Sequence, residues 1–275
     1  MKRVSAICLL LFLLSACKKD KINLPDPPDE YPEWTTFATS NSGITDNQVN
    51  ALAIDRNDTK WIGTSKGLVR FQQNEWTIFD QSNSPLPSSY IQSLAVENDG
   101  TVWAGTAQGL ARYSQGNWKI YTTANSELTY AGVLSLAHDA QRKLTYAGTE
   151  GSTIRINQQG KLELLEDSGN PVFSMAVDKN GIMWSGSFNF FAFMGRIRKF
   201  ANGHFSGINL PEKGYPSAFP YAITIDHNNK ALVTLTGTSV RSVVRIDGNE
   251  LAEVPYSKDA AGFKAILTQN DKVWV

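Results

Sequence analysis

The sequence contains very little cysteine. Among its 275 residues only Cys8 and Cys17 occur, and both lie near the N-terminus. From residue 18 onward the chain therefore has no thiol. This excludes a disulfide bond, a thiolate metal site and a cysteine nucleophile from that part of the protein.

The sequence also lacks an excess of charge of either sign. It has 26 basic and 26 acidic residues, so its formal net charge is zero. Proteins that bind nucleic acids need a basic patch or stripe, because the phosphate backbone dominates their affinity. The balance of charges therefore predicts no nucleic-acid partner.

Signatures of catalysis are scarce as well. His138, His204 and His227 are the only histidines, and their spacing is not that of metal ligands. No Gly-x-Ser-x-Gly motif and no glycine-rich phosphate loop occurs. The sequence predicts no catalytic residue, no metal and no cofactor. An enzyme whose site is scattered over several repeats stays open as an alternative.

The first seventeen residues have the order of a bacterial export signal. Met1–Arg3 is basic, and the apolar run Val4–Leu14 is too short to span a membrane. The following Leu14-Ser15-Ala16-Cys17 resembles a lipobox, which is cut before its cysteine. We expect a signal peptide over residues 1–16 and a lipid anchor at Cys17. The alternative is a cleaved secretory signal with an incidental cysteine.

Residues 17–33 are predicted to form the lipidated cysteine and a tether. The segment after Cys17 is charged and proline-rich and shows no apolar period. In an extended form it reaches about 50 Å, enough to hold a domain clear of a bilayer. We expect a protein of the bacterial cell envelope, anchored to the outer membrane and periplasmic or surface-exposed.

The rest of the chain is organised around a repeat. Lys60–Phe71 reads KWIGTSKGLVRF, and the pattern returns as VWAGTAQGLARY at Val102–Tyr113. Looser copies follow at residues 145–156, 183–200 and 232–246, and another begins at residue 273. Each copy supplies four short strands within about 42 residues, the period of a propeller blade. Residues 34–275 are therefore predicted to form an all-β propeller of four-stranded antiparallel blades, with about six visible and the last incomplete.

The repeat unit resembles the two-component regulator propeller repeat. The resemblance lies in an acidic turn, a Trp-x-Gly-Thr segment and a following Gly-Leu pair, as in Trp103–Leu110. Repeats of this family build β-propellers that often form the sensing portion of bacterial hybrid histidine kinases. They also occur in free-standing exported proteins.

Three repeat positions have structural interpretations. The aromatic position is expected to pack between neighbouring blades; its members are Trp61, Trp103, Tyr146 and Trp184. An acid recurs at the hairpin turn, at Asp55, Glu97, Asp139, Asp178 and Asp226. An arginine recurs in the third strand, at Arg70, Arg112, Arg155, Arg198 and Arg245. The last two are expected to form turn caps or repeated ion pairs.

The segment Trp34–Phe37 matches a fourth strand that has no blade before it. Trp76–Phe79 has the same pattern in the next repeat. We expect Trp34–Phe37 to complete the last blade, since closure of the ring hides exposed sheet edges.

Departures from the repeat indicate where function lies. The turn at residues 187–195 and the link at residues 210–221 are long and aromatic, and the topology places both on one face. Exposed apolar patches usually mark binding sites. The predicted binding face comprises Phe188, Phe190, Phe191, Phe193, Tyr215, Phe219 and Tyr221, extended by Tyr90 and Tyr130. The alternative is that these aromatics fill a local gap.

Together these features predict a non-catalytic, lipid-anchored propeller that binds a glycan, a peptide or an envelope protein. Two alternatives remain. The chain could be the sensing portion of a longer two-component signalling protein, or a propeller lyase or hydrolase.

Overall fold

The computed structural model describes residues 35–237, 241–254, 267–269 and 272–274. The predicted signal peptide, Cys17, the tether and Trp34 lie outside these residues. The described strands belong to one compact unit that begins at Phe37. Five four-stranded antiparallel sheets and a two-stranded hairpin make up this unit, as the propeller prediction requires. Among the described residues no helix is long and apolar enough to cross a membrane.

The strands follow the repeat in chain order. Blade 1 contains β1 (Val49–Ile54), β2 (Lys60–Thr64), β3 (Gly67–Gln72) and β4 (Glu75–Phe79). Blade 2 contains β5 (Ile91–Val96), β6 (Val102–Thr106), β7 (Gly109–Ser114) and β8 (Asn117–Tyr121). Blade 3 contains β9 (Val133–Asp139), β10 (Leu144–Thr149), β11 (Ser152–Ile156) and β12 (Leu162–Asp167).

The remaining strands extend the series. Blade 4 contains β13 (Val172–Val177), β14 (Met183–Asn189), β15 (Met194–Ala201) and β16 (His204–Asn209). Blade 5 contains β17 (Phe219–Ile225), β18 (Ala231–Thr236), β19 (Arg241–Asp247) and β20 (Glu250–Glu253). The hairpin of β21 (Leu267–Gln269) and β22 (Lys272–Trp274) follows. The first strands of consecutive blades contact one another, so each blade begins at the inside of the array.

The apolar core lies between blades rather than within them. Each of four buried clusters draws residues from two consecutive blades. The aromatic repeat position contributes to every cluster: Trp61 packs between blades 1 and 2, and Trp103 between blades 2 and 3. Tyr146 packs between blades 3 and 4, and Trp184 packs between blades 4 and 5. The predicted packing role of this position is confirmed.

The recurrent aspartates cap the hairpin between the first two strands of a blade. The Asp178 carboxylate accepts backbone N–H bonds from Asn180 (2.8 Å) and Ile182 (3.0 Å). Trp103 Nε1 donates to Glu97 at 2.5 Å, so the acid also holds the repeat aromatic. Among the ion pairs of the described residues, Arg245 with Asp226 joins the two recurrent positions of one blade. Asp55, Asp139 and Asp226 cap their turns in the same way, whereas the described side-chain bond of Glu97 is the one to the indole. Turn capping is thus the role of the four aspartates, and the repeated ion pair is wrong as a general rule.

A glycine and a serine allow consecutive blades to approach closely. Ser135 Oγ donates to the Val172 carbonyl of the next blade at 2.8 Å, and Ser174 Oγ to Pro220 at 3.1 Å. The glycine of the Trp-x-Gly segment faces the same contact, because a Cβ at Gly186 would lie 2.6 Å from the Pro220 carbonyl oxygen. The small residue and the hydroxyl together set the spacing between blades.

Residues 35–37 are not in a strand, contrary to the expectation for Trp34–Phe37. Phe37 packs on Phe71 and Trp76 of blade 1, with ring centroids 5.7 and 5.5 Å away. Phe79 contacts Tyr113 and Trp118 of blade 2 in the equivalent way. The segment therefore keeps the packing of a fourth strand without forming its hydrogen-bonded ladder.

Candidate functional site

The innermost strand of each blade carries one β-bulge, always at the same repeat position. The register breaks between Val49 and Ala51 in blade 1 and between Ile91 and Ser93 in blade 2, and the other three blades break equivalently. The unpaired residue lies five positions before the recurrent acid. These residues are Asn50, Gln92, Leu134, Phe173 and Tyr221. A bulge leaves its residue free of the ladder and re-aims its side chain.

All five bulge residues line one cavity. Its volume is about 380 Å³, and Gln48 and Val49 complete its lining. The bulges lie where the first strand of each blade begins. In the antiparallel register this is the end that holds the turn between the second and third strands. We call this space the axial cavity, because consecutive first strands surround it.

An aromatic cluster adjoins the axial cavity. Its members are Phe173, Phe188, Phe190, Phe219 and Tyr221. The rings of Phe173 and Phe219 lie 4.6 Å apart, and those of Phe188 and Phe219 are stacked at 5.0 Å. Phe190 completes the cluster at 5.1 Å from Phe188. Phe173 and Tyr221 belong to both groups, so the cavity is continuous with the cluster.

The members of the cluster differ in exposure. Phe188 is only 6% exposed and forms its base, whereas Phe190 is 53% and Tyr221 41% exposed. The prediction of a fully exposed platform is therefore wrong for Phe188. The aromatic face available to a ligand consists of Phe190 and Tyr221, supported from below by Phe188 and Phe219.

Phe191 and Phe193, two residues of the predicted binding face, lie at the tip of a hairpin and outside the aromatic cluster. β14 and β15 continue further than their counterparts in other blades, which leaves Phe190–Phe193 as a short turn. Asn189 Oδ1 accepts the Ala192 backbone N–H at 2.8 Å, and Phe193 adopts a left-handed φ of 51°. Phe191 is fully exposed and Phe193 is 65% exposed, and no described ring contact joins either of them to the cluster.

The link between blades 4 and 5 contributes fewer residues to the aromatic cluster than the sequence predicts. Much of residues 210–221 is ordered: a 3-10 helix spans Pro211–Lys213, and β17 begins at Phe219. Tyr215 packs against the core between blades 4 and 5, and its hydroxyl bonds Glu253 at 3.1 Å. Burial and this bond raise the pKa of Tyr215. Its ring therefore contributes to the interface between blades 4 and 5, and no described ring contact joins it to the aromatic cluster.

Tyr90 and Tyr130 lie near the turns on the cavity side of blades 2 and 3. The Tyr90 carbonyl accepts the Ala107 N–H at 3.2 Å. The Tyr130 hydroxyl donates to Asp167 at 3.2 Å, and the Asp167 charge raises the pKa of that phenol. The ring contacts of the described residues do not link these tyrosines to the aromatic cluster.

Besides Gln48 and Val49, the sequence interpretation missed four of the five bulge residues, namely Asn50, Gln92, Leu134 and Phe173. A signal for these four exists, because each lies five residues before a repeat acid. The residue types at this position vary, so the shared placement appears only once the repeats are aligned and the bulge is known.

The described lining of the axial cavity is polar and aromatic but uncharged. It offers three carboxamides, two aromatic rings, one of which carries a hydroxyl, and two aliphatic side chains, and none of these described residues carries a carboxylate, ammonium, guanidinium or imidazole. Within the described part of the chain, no three His, Cys, Asp or Glu side chains are grouped to hold a metal ion. The arrangement can offer ring stacking and uncharged hydrogen bonds.

Comparison with known proteins identifies the repeats. The family model described as two component regulator propeller matches residues 85–108 and 166–189. The predicted resemblance to this repeat family is confirmed. No curated protein matches this sequence.

Solved structures share the fold at low sequence identity. One is named as the extracellular domain of a putative hybrid two component system from B. thetaiotaomicron. The two share 19% sequence identity with a TM-score of 0.58, and the match covers 80% of this chain and 37% of that chain. Another is a streptogramin B lyase. It shares 18% sequence identity with a TM-score of 0.68, and the match covers 84% of this chain and 76% of that chain.

A third is PorZ, a surface component of the type-IX secretion system of Porphyromonas gingivalis. It shares 14% identity with a TM-score of 0.55, over 82% of this chain and 36% of that one. The chain thus spans well under half the length of the sensor and secretion-system proteins. At these identities the similarity establishes the propeller fold.

Proposed function

We propose that this chain, which carries two-component regulator propeller repeats, is a non-catalytic binding protein of the bacterial cell envelope. Its ligand, a glycan or a peptide, rests on Phe190 and Tyr221 and reaches into the axial cavity. One observation carries the proposal. Every described blade directs its bulge residue into the same cavity, and two of these residues continue into an exposed aromatic cluster.

The chemistry of the lining supports binding without catalysis. General acid–base chemistry needs a titratable group within hydrogen-bond reach of the reacting atoms. Among the described lining residues only the Tyr221 phenol could transfer a proton, and no carboxylate or imidazole accompanies it. Flat rings beside amides are suited to hold a ligand.

Replacing Phe190 by alanine tests the site. We expect the affinity for a bound oligosaccharide or peptide to fall about tenfold, because a half-exposed ring that contacts the cluster is lost. A ligand at about 100 times its Kd stabilises the folded state by about 2.7 kcal/mol, so its binding is visible as a rise in Tm. The experiment is a thermal-shift screen of oligosaccharides and short peptides.

Phe191→Ala is the matched control, because the neighbouring ring is fully exposed and lies outside the cluster. It is expected to leave the ligand-induced shift nearly unchanged. Equal effects of the two substitutions, or no effect of Phe190→Ala, would show that the ligand binds elsewhere.

The proposed envelope location depends on Cys17. In bacteria fed an alkyne-labelled fatty acid, we expect the protein to be labelled and to sediment with membranes. Cys17→Ser is expected to remove both properties, since the thiol that carries the lipid is gone. Cys8→Ser is the control and is expected to change neither, because Cys8 lies within the removed signal. Persistent labelling of the Cys17→Ser protein would refute the anchor.

A propeller lyase is the second candidate, and the similarity to streptogramin B lyase over 84% of this chain favours it. A sensing portion of a longer signalling protein is the third, favoured by the B. thetaiotaomicron structure. Conversion of a ligand into a product that separates by chromatography and carries a new C=C bond would indicate the lyase, because elimination breaks a C–O bond without adding water. Unaltered ligand after prolonged binding agrees with the binding protein or the sensing portion.

A further inference from the structure

We propose that the axial cavity is a subsite for one uncharged sugar unit, with Gln92 as its hydrogen-bond acceptor and Phe173 and Tyr221 as its stacking surfaces. The inference rests on the proposed function and deepens it, because it selects a neutral saccharide over a peptide. It also adds Gln92 and Phe173, which do not belong to the exposed face of Phe190 and Tyr221, to the residues that recognise the ligand.

The first argument is the charge of the lining. Among the described lining residues, Gln48, Asn50 and Gln92 supply carboxamides and Tyr221 a hydroxyl, and none carries a charged side chain. A ligand group that is itself charged would lose hydration in this cavity without meeting an opposite charge. The cavity therefore favours an uncharged group over a uronate, a phosphate or the charged end of a peptide.

The second argument is the arrangement of polar and aromatic walls. The carboxamides come from blades 1 and 2, whereas Phe173 and Tyr221 come from blades 4 and 5, and Leu134 lies between them. A sugar ring has the same division, because its C–H groups form an apolar face and its hydroxyls lie at the rim. The faces of aromatic rings carry partial negative charge and attract such C–H groups.

The third argument is an unused acceptor. Both ends of the Asn50 carboxamide are engaged, since its Nδ2 donates to the Ile91 carbonyl at 2.9 Å and its Oδ1 accepts from Gln48 at 3.2 Å. Gln92 occupies the equivalent position in the next blade, yet its Oε1 is buried and makes no hydrogen bond. A buried acceptor without a partner lowers stability, so natural folds rarely keep one. A ligand hydroxyl that draws this side chain into the cavity would satisfy it.

The size of the cavity agrees with one end of a longer ligand. Its volume of about 380 Å³ lies near the lower limit of small-molecule sites, about 300–1,000 Å³. Further units would leave the cavity past Tyr221 and lie against Phe190, because the aromatic cluster continues in that direction.

Gln92→Leu tests the inference, because leucine keeps most of the volume and removes the acceptor. We expect the affinity for a neutral saccharide to fall about tenfold. At the same time we expect the Tm of the free protein to stay unchanged or to rise by about 2 °C, since the unsatisfied buried oxygen is gone. A residue needed only for folding would not show loss of binding together with retained or increased stability.

Gln108→Leu is the matched control. Gln108 is exposed in the turn between β6 and β7 of the same blade and does not line the cavity. The same chemical change there is expected to leave binding unaltered. Tyr221→Ala serves as a second variant and is expected to weaken binding by a similar factor through the loss of stacking.

The probes are maltotriose, cellotriose, mannotriose and xylotriose as neutral saccharides, trigalacturonate as an acidic one, and N-acetyl-triglycine amide as an uncharged peptide. Binding to the soluble chain from residue 18 onward is measured by calorimetry at concentrations up to about 10 mM, which detects Kd values near 1 mM. We expect at least one neutral saccharide to bind, and trigalacturonate and the peptide to bind at least tenfold more weakly.

The outcomes separate the two proposals. If Phe190→Ala weakens binding of a neutral saccharide and Gln92→Leu does not, the aromatic face is kept and the axial subsite is overturned. Equal or tighter binding of trigalacturonate or of the peptide overturns the neutral-sugar assignment. If none of the four neutral saccharides binds, that assignment is likewise overturned.

Discussion

Replacing Trp103 by alanine is expected to lower the free energy of unfolding by about 3–5 kcal/mol, the usual cost of deleting a large buried aromatic side chain. Trp103 is fully buried in the cluster between blades 2 and 3, and Arg112 lies over its ring at 5.6 Å. The substitution removes the ring, leaves a cavity and deprives the buried Glu97 of the indole donor. The corresponding fall in Tm is about 10 °C, measurable by calorimetry.

Trp118→Ala is the control for this effect. Trp118 is only half-buried in the outermost strand of the same blade, where it contacts Phe79 and Tyr113. Because neighbouring side chains and water can fill its place, we expect less than half the loss seen for Trp103. Equal losses would mean that the interface between blades 2 and 3 does not depend on the repeat aromatic.

Replacing Gly105 by alanine is expected to destabilise the fold by about 3 kcal/mol although it adds only one methyl group. The new Cβ would lie 2.6 Å from the Val133 carbonyl oxygen of blade 3 and against Ser93 Oγ. The blades would have to move apart, which breaks the Ser93 bond to that carbonyl (3.2 Å) and opens the packed interface. Overpacking of a core typically costs about 1–3 kcal/mol, to which the lost bond adds.

Gly207→Ala is suited as the control, because Gly207 is exposed on the outermost strand of blade 4 and its backbone needs no left-handed conformation. Its nearest contact, the Ile197 carbonyl at 3.0 Å, lies within its own blade. We expect a change below about 1 kcal/mol by chemical denaturation. A Gly105→Ala protein as stable as the control would show that the spacing of the blades is not set at this position.

Blade 5 lacks both the glycine and the serine that allow consecutive blades to approach closely. The glycine position holds Thr234 and the serine position holds Ala222, and here the hydroxyl accepts the Ala222 backbone N–H at 3.0 Å within the blade. Blade 1 keeps the glycine, Gly63, but has Ala51 opposite it, so the glycine recurs there without the serine. The sequence interpretation registered only the loss of the tryptophan in blade 5, since the role of the other two positions appears only in the blade interface.

The sequence by itself determined the blades. A repeat of four short strands, its turn residues and its interblade aromatics predict the propeller, and the structure has Trp61, Trp103 and Tyr146 where the repeat requires them. The reason is that strand and turn formation depend mainly on local periodicity and turn chemistry, which each copy carries in full. The acidic turn caps follow from the same local chemistry.

Only the tertiary structure decided which side chains share the site. Asn50, Gln92 and Tyr221 come from strands far apart in the chain, and a bulge rather than their residue type turns each toward the axis. Phe191 looks equivalent to Phe190 in the sequence and lies in the same turn, but of the two only the Phe190 ring has a described contact with the aromatic cluster. A one-residue change of register moves a side chain to the opposite face, and no local pattern determines where the paired strand places that break.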